Sequence, residues 1–339
     1  MGPPPVAVNV WRGDRVESRH RVRLCVADAA GTVLQSIGDI DEPVFPRSAA
    51  KPFQALLLVE TGAADAFGLG DAELALACAS HSGEPMHVER VERWLATLDL
   101  DASALACGGH MPQHGPTAAA MAARSELPGR VHDNCSGKHA GMLTVARHLG
   151  LPVAGYADPN GPLQQRIAAV IAEMADLAAP PPCGIDGCSL PAWALPLRGL
   201  ATATARLARP DALPLPRRVA LERLSRAMRA HPELVAGTGR CCTAVMRALP
   251  DLTVKTGAEG VYVAALHGSG LGLALKVEDG VTRASEAALI AVLGALGAVP
   301  AEAEAALAVH GRPRLYSRAG EEVGAIAPVP GWPPLAPLP

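Results

Sequence analysis

Apolar residues recur along this chain with two different periods, and the changes between them mark out its elements. Residues 21–27 (RVRLCVA) alternate and are β-branched, and Ala29-Ala30-Gly31 turns them into 32–37, which predicts an early hairpin. Residues 53–60 predict a helix ended by Gly62. Asp71 reads as the N-cap of a helix over 72–79, with Glu73 in its first turn. Residues 85–98 place Val88, Val91 and Leu95 on one helical face. Helices follow over 138–149, where Gly150 and Pro152 are the stop signal, and over 163–177 and 217–230. Residues 252–255, 261–266 and 271–277 read as successive strands, and 285–296 and 301–308 as closing helices.

This order predicts an α+β fold: an antiparallel sheet formed by both ends of the chain, with flanking helices and a helix-rich middle. The chain reads as one domain, 1–339, with a sheet lobe from about 1–50 and 240–339 and a helical lobe from about 51–239. No repeat at a period of 20–50 residues interrupts it. Pro-rich segments lie at 179–182, 210–216 and 328–339, the last reading as an ordered or frayed tail.

Composition removes several function classes. Hydrophobic residues are 49% and charged residues 19% of the 339, so the chain can bury a core and is not disordered as a whole. The abundance of Ala, Leu, Gly, Pro and Arg reads as a high-GC genome and not as a fold signal. Thirty Lys+Arg against 33 Asp+Glu give a net charge of −3 with no basic block, and aromatics are 3%. Neither the basic footprint nor the stacking platforms of a nucleic-acid binder are there. No apolar run is long enough to span a membrane, and the first twenty residues lack a secretory h-region. The expectation is a cytoplasmic protein with reduced thiols. Its eight cysteines (Cys25, Cys78, Cys107, Cys135, Cys183, Cys188, Cys241 and Cys242) are then core filler, metal ligands or catalysts.

Candidate chemistry begins at Ser48-Ala49-Ala50-Lys51. With Ala49 near an N-cap, Ser48 and Lys51 share one helical face at i, i+3, and Pro52 falls in the first turn. A serine hydroxyl needs a base, and a lysine can be one if burial or a second cation lowers its pKa. Ser-x-x-Lys is the acylation motif of penicillin-recognising enzymes, although alone it occurs widely by chance. Ser80-His81-Ser82-Gly83-Glu84, by itself a turn, and Lys255-Thr256-Gly257 follow in the chain order of that enzyme set. Two further clusters mix thiols with polar and glycine residues: Asp133 to Gly141, and Cys183 to Pro191. Neither has the usual Cys-x-x-Cys zinc spacing, so buried inert thiols are the plainer reading of the residues alone.

These residues resemble the bacterial asparaginase II family, the Rhizobium etli-type or class 3 L-asparaginases. The resembling segments are Arg47-Ser48-Ala49-Ala50-Lys51-Pro52, Ala79-Ser80-His81-Ser82-Gly83-Glu84, Asn134-Cys135-Ser136-Gly137-Lys138-His139-Ala140-Gly141, Gly184-Ile185-Asp186-Gly187-Cys188, Val235-Ala236-Gly237-Thr238-Gly239-Arg240 and Lys255-Thr256-Gly257-Ala258-Glu259-Gly260. The resemblance implies a fold related to serine β-lactamases and glutaminases, and hydrolysis of L-asparagine to L-aspartate and ammonia by a homodimer. It also implies a zinc ion on Cys135, Lys138 and Cys188 that supports substrate binding and is not required for the chemical step. A lysine ligates only when neutral, so the metal must hold its pKa down. Ser82 stands where penicillin-recognising enzymes have Asn, which fits a small amino-acid substrate.

The expected enzyme is an amidohydrolase with two Ser–Lys pairs, Ser48 with Lys51 and Ser80 with Lys255. Two neighbouring lysines depress each other's pKa, which makes one a base at neutral pH. Ser48 is the favoured nucleophile, with Ser80 open as nucleophile or proton shuttle. Arg47 is the candidate partner for the substrate α-carboxylate, Asp186 for its α-ammonium, and His139 for a further hydrogen bond. The alternatives are a glutaminase, a penicillin-recognising serine hydrolase, or a catalytically inactive binding protein of the same fold. No nucleic-acid or membrane partner is expected.

Overall fold

The computed structural model describes residues 2–335; Met1 and the last four residues of the Pro-rich tail lie outside the described residues. Its strands are β1 (Val6–Arg12), β2 (Arg15–Ala27), β3 (Val33–Ile37), β4 (Pro43–Val44), β5 (Cys183–Ile185), β6 (Pro191–Trp193), β7 (Leu195–Pro196), β8 (Leu252–Gly257), β9 (Val261–Leu266), β10 (Leu271–Val277), β11 (Arg314–Tyr316) and β12 (Glu322–Pro328). Its helices are α1 (Lys51–Gln54), α2 (Leu56–Glu60), α3 (Ala63–Ala66), α4 (Asp71–Ala77), α5 (Pro85–Thr97), α6 (Gly115–Ala123), α7 (Ser136–His148), α8 (Pro162–Met174), α9 (Leu197–Ala208), α10 (Leu215–Ala230), α11 (Pro232–Val235), α12 (Cys241–Ala248), α13 (Thr282–Ala295) and α14 (Ala301–Gly311). The fold is α+β. The chain divides into two compact units, one of residues 1–49, 195–209 and 244–339, the other of residues 50–194 and 210–243.

The first unit is built on an antiparallel sheet in the order β11-β12-β1-β2-β10-β9-β8, with β3 also on β2. The two ends of the chain meet in it: Val8 lies opposite Pro328 and Val10 opposite Ile326. The expected early hairpin is there, with Leu24 opposite Ile37 and Cys25 opposite Ser36. β8 and β9 are buried at every position, so their sequences are continuous apolar runs and not alternations. Helices α9 and α13 pack against these strands.

The sequence pattern gives no sign of α9 and assigns its residues to the helical lobe, yet α9 belongs to the sheet unit. The reason is its composition, LRGLATATARLA, in which small residues and threonines carry little helical signal. The Thr202 and Thr204 hydroxyls bond back to the Arg198 and Leu200 carbonyls, at 3.0 and 2.7 Å. The helix lies so close to β10 that a Cβ on Gly272 would come within 2.1 Å of the Ala205 nitrogen.

The second unit is helical. Helix α7 is buried from Ser136 through Ala146, packed by α2, α3, α4, α5 and α8. Gly137 permits the closest of these approaches: a Cβ there would sit 2.4 Å from the Leu76 carbonyl oxygen of α4. At the start of α4 the N-cap is Gly70, in extended backbone, and Asp71 is the first helical residue. Glu73 reaches back to the Gly70 N–H at 3.0 Å, so the cap belongs to that side chain and not to Asp71.

Candidate active site

Candidate residues occur in both units. In the first, Ser48 follows Arg47, whose φ of 51° is left-handed, in a 3-10 turn. A Cβ on Gly257 at the end of β8 would lie 2.3 Å from the Pro46 oxygen and 3.3 Å from the Ala49 nitrogen. The Lys-Thr-Gly strand therefore runs flush against the segment that carries Arg47 and Ser48, both half-buried. Lys255 is 1% exposed, and its Nζ donates to the Thr256 carbonyl at 3.0 Å.

Lys51 opens α1 with Ala50, one residue later than expected, as the N-cap; Pro52 is in the first turn. Lys51 is 1% exposed, and its Nζ donates to the Ala79 carbonyl and reaches Ser80 Oγ at 3.0 Å. The reading that paired Ser80 with Lys255 did not anticipate this bond. Its two residues are 29 apart in the chain, and nothing local in the sequence announces it.

Ser80 sits in a loop held on all sides. Its N–H donates to the Val235 carbonyl at 2.9 Å, and the His81 N–H to that of Asn134 at 3.2 Å. The Ser136 hydroxyl donates to the Val131 carbonyl, so it accepts from His81 Nε2, 2.8 Å away, while His81 Nδ1 accepts from the Gly83 N–H. That fixes a neutral imidazole, and burial above all pulls its pKa well below the usual range. His87 stacks on it at 4.8 Å between centroids, accepts from the Glu84 N–H and donates to the Glu233 carbonyl. These buried histidines, with Ser136 and Glu84, escaped sequence reasoning; the one hint was the density of polar residues inside the motifs.

The two cysteine clusters come together. Cys135 ends a loop braced by Asp133, whose Oδ1 accepts its N–H at 2.7 Å, and α7 carries Lys138 three residues on. Cys188 arrives on the tight turn between β5 and β6. There the Asp186 N–H bonds the Leu190 carbonyl, Asp186 Oδ1 accepts the Gly187 N–H, and Ser189 adopts a φ of 68°. Lys138 Nζ lies 3.1 Å from Cys188 Sγ. A hydrogen bond from Cys188 and the Lys138 charge, against burial, hold the Cys135 thiol well below its usual range; the same bond and burial push Cys188 up. Burial opposes charge on Lys138, but Cys135, Cys188 and Asp186 outweigh it and raise its pKa.

Two sulfurs and an amine converging in a buried pocket fit a soft, tetrahedral cation such as Zn²⁺ and do not fit Mg²⁺ or Ca²⁺. A dication that takes the place of two protons, one on Lys138 and one on Cys188, keeps the charge balance of the cluster. Half-buried Asp186 acts on this cluster through its charge. His139 is fully buried on α7, its Nδ1 2.5 Å from the Tyr156 hydroxyl, and burial and the two lysine charges keep it neutral. By contrast Cys25 and Cys107 are inert: burial pushes both thiols up to about 12.

A search of curated protein sequences finds no match. Among solved structures, a β-lactamase from Burkholderia ambifaria is 19% identical, with 83% of this chain and 96% of that one covered at a TM-score of 0.40. A β-lactamase from Mycobacterium bovis is 13% identical over 78% and 89%, also at 0.40. A D-alanine carboxypeptidase from Burkholderia cenocepacia is 12% identical over 85% and 92%, at 0.37. Among the described residues no helix is long and apolar enough to cross a membrane. The L-asparaginase II family model matches residues 8–328, nearly the whole chain, and the protein belongs to that family of amidohydrolases.

Proposed function

We propose that this amidohydrolase converts L-asparagine to L-aspartate and ammonia through a serine–lysine acyl-enzyme. The observation that carries the chemistry is the buried contact between Lys51 Nζ and Ser80 Oγ. In this reading Ser48 attacks the side-chain amide carbon, a role resting on its spacing from Lys51 in the sequence. Lys51 Nζ accepts the hydroxyl proton as the C–O bond forms. The proton returns through Ser80 Oγ to the amide nitrogen, the C–N bond breaks, and ammonia leaves. Water then attacks the acyl ester, giving its proton to Lys51 and restoring Ser48 as aspartate departs. Lys255 is assigned to the same reaction through its Lys-Thr-Gly motif. Arg47 is assigned to the α-carboxylate, Asp186 to the α-ammonium, and His139 to a supporting hydrogen bond.

Cys135, Lys138 and Cys188 would hold Zn²⁺, which when bound would fix these residues in place and so support substrate binding. A cytoplasmic homodimer is proposed with this activity; the eight free cysteines suit a reducing compartment.

A panel of asparagine, glutamine and nitrocefin, assayed on purified protein, tests the substrate. Ammonia from asparagine is expected; discrimination against glutamine rests on one methylene, worth about 1–3 kcal/mol. Ser48→Ala is expected to lower turnover by roughly three or more orders of magnitude. A second reading, with Ser80 as nucleophile, is favoured by its direct bond to Lys51. Retention of more than about a tenth of the activity by Ser48→Ala, with Ser80→Ala inactive, moves the attack to Ser80.

A further inference from the structure

Glu84 is the N-cap residue of α5, yet its side chain turns away from that helix. The residue is 7% exposed, and its two carboxylate oxygens are occupied by three donors. Oε1 accepts the Ser82 hydroxyl at 2.7 Å and the Thr238 N–H at 2.8 Å, and Oε2 accepts the Thr238 hydroxyl at 2.7 Å. His114 Nε2 stands 4.0 Å from Oε2. Burial pushes this carboxyl up, but the bonds from Ser82 and Thr238 prevail and hold it below the usual range, so it is an anion at neutral pH.

The segment it grips is shaped for the purpose. Gly237 has a φ of 119°, and a Cβ there would fall 1.9 Å from Ser82 Oγ and 2.7 Å from Glu84 Oε1. Its carbonyl accepts the Thr243 hydroxyl at 2.7 Å. Two residues earlier, the Val235 carbonyl accepts the N–H of Ser80. Residues 80–84 and 235–238 are thus tied twice, once through the backbone at Ser80 and once through the Glu84 carboxylate. The first of these ties is made by the serine that meets Lys51.

We propose that Glu84 is a positioning residue of the reaction: its buried carboxylate clamps the Ser80 loop to Gly237 and Thr238 and so fixes Ser80 Oγ against Lys51 Nζ. This rests on the proposed role of the Lys51–Ser80 pair. The carboxylate is suited to the task because it only accepts, and each of its three partners only needs to donate. An uncharged or shortened side chain leaves the Thr238 N–H and hydroxyl without an ionic acceptor and releases the loop.

The variants are Thr238→Val, which removes one donor and nothing else of size, Thr238→Ser, which restores it, and Glu84→Ala, which removes the clamp. For Thr238→Val, kcat for asparagine is expected to fall about tenfold, the scale of one charge-assisted hydrogen bond, with KM within about twofold. Thr238→Ser should recover most of the loss, and Glu84→Ala should fall further. Crystal structures of wild type and Thr238→Val measure the Ser80–Lys51 separation directly, so this arm reads out even if asparagine proves not to be the substrate. Lengthening or disorder of that contact in Thr238→Val supports the clamp. An unchanged contact, an unchanged kcat, a rise in KM that accounts for the loss, or failure of Thr238→Ser to recover overturns it. Thr238→Val keeps the test decisive should Glu84→Ala not fold.

Discussion

Three imidazoles in the second unit are buried and kept neutral, and this has a thermodynamic consequence. The pKa values of His81 and His139 are pulled well below 6.5, and that of His87 is also lowered, in each case first by burial. Below the unfolded pKa the denatured chain takes up protons that the folded one refuses, so stability is lost as pH falls below about 6.5. Asp133 works the other way, since burial raises its pKa and folding favours its proton, but that acts nearer its usual value of 3.8. Thermal melts are therefore expected to show a falling Tm between pH 7 and pH 5. His81→Asn should be less stable throughout but have a shallower slope; a slope identical to wild type would remove His81 from the account. The residues of the site were legible as motifs, whereas their partners were not. Nothing near Ser80 in sequence points to Lys51, and nothing near Glu84 points to Thr238, because both bonds close long loops.

At the scale of elements, close packing is written in glycines. Gly272 lets α9 lie flush on β10, and any Cβ there must displace helix backbone at Ala201 and Ala205. Gly272→Ala is expected to cost roughly 2 kcal/mol or more and to lower Tm by several degrees. Gly294 in α13 has nothing within 4 Å of the Cβ position and no left-handed φ. Gly294→Ala should be neutral or stabilising by about 0.5–1 kcal/mol, because it restricts the unfolded chain. Differential scanning calorimetry of the pair decides it, and equal losses in both would contradict the packing account. Strands β9 and β10 were legible to the residue because their apolar runs end at glycine-rich turns. Strand β1, which carries no alternation strong enough to stand alone, and α9, dominated by small residues, were not. Both owe their form to neighbours brought from far along the chain: β1 to β12, and α9 to Gly272.

At the scale of the molecule, the two-unit division follows no single break in the sequence. The sheet unit takes three separate pieces of chain and the helical unit two. Within the helical unit, α7 and the β5–β6 turn contribute the Cys135, Lys138 and Cys188 donors from positions 50 residues apart. A metal on these three would cross-link elements that are otherwise joined by packing and the Lys138–Cys188 hydrogen bond. Adding Zn²⁺ to chelator-treated protein should therefore raise Tm in wild type but not in Cys188→Ala, and zinc content measured by mass spectrometry should fall in Cys135→Ala and Cys188→Ala. Equal zinc in all three proteins would dismiss the site. KM for asparagine should rise on zinc removal, with a smaller effect on kcat.

The sequence by itself determined the α+β class, several helices of the middle, among them α5, α7, α8 and α10, the strands β9 and β10, and the candidate set of serines, lysines and cysteines. Local periodicity suffices for the elements, since each is decided within a few turns of chain, whereas the candidate residues were marked by motifs that resemble those of the family. Tertiary structure alone decided that Lys51 bonds Ser80, that Glu84 grips Thr238, that α9 joins the sheet, and that Lys138 lies against Cys188. Those are non-local contacts, selected by the whole packed core, and no short window of sequence contains the energy that favours them.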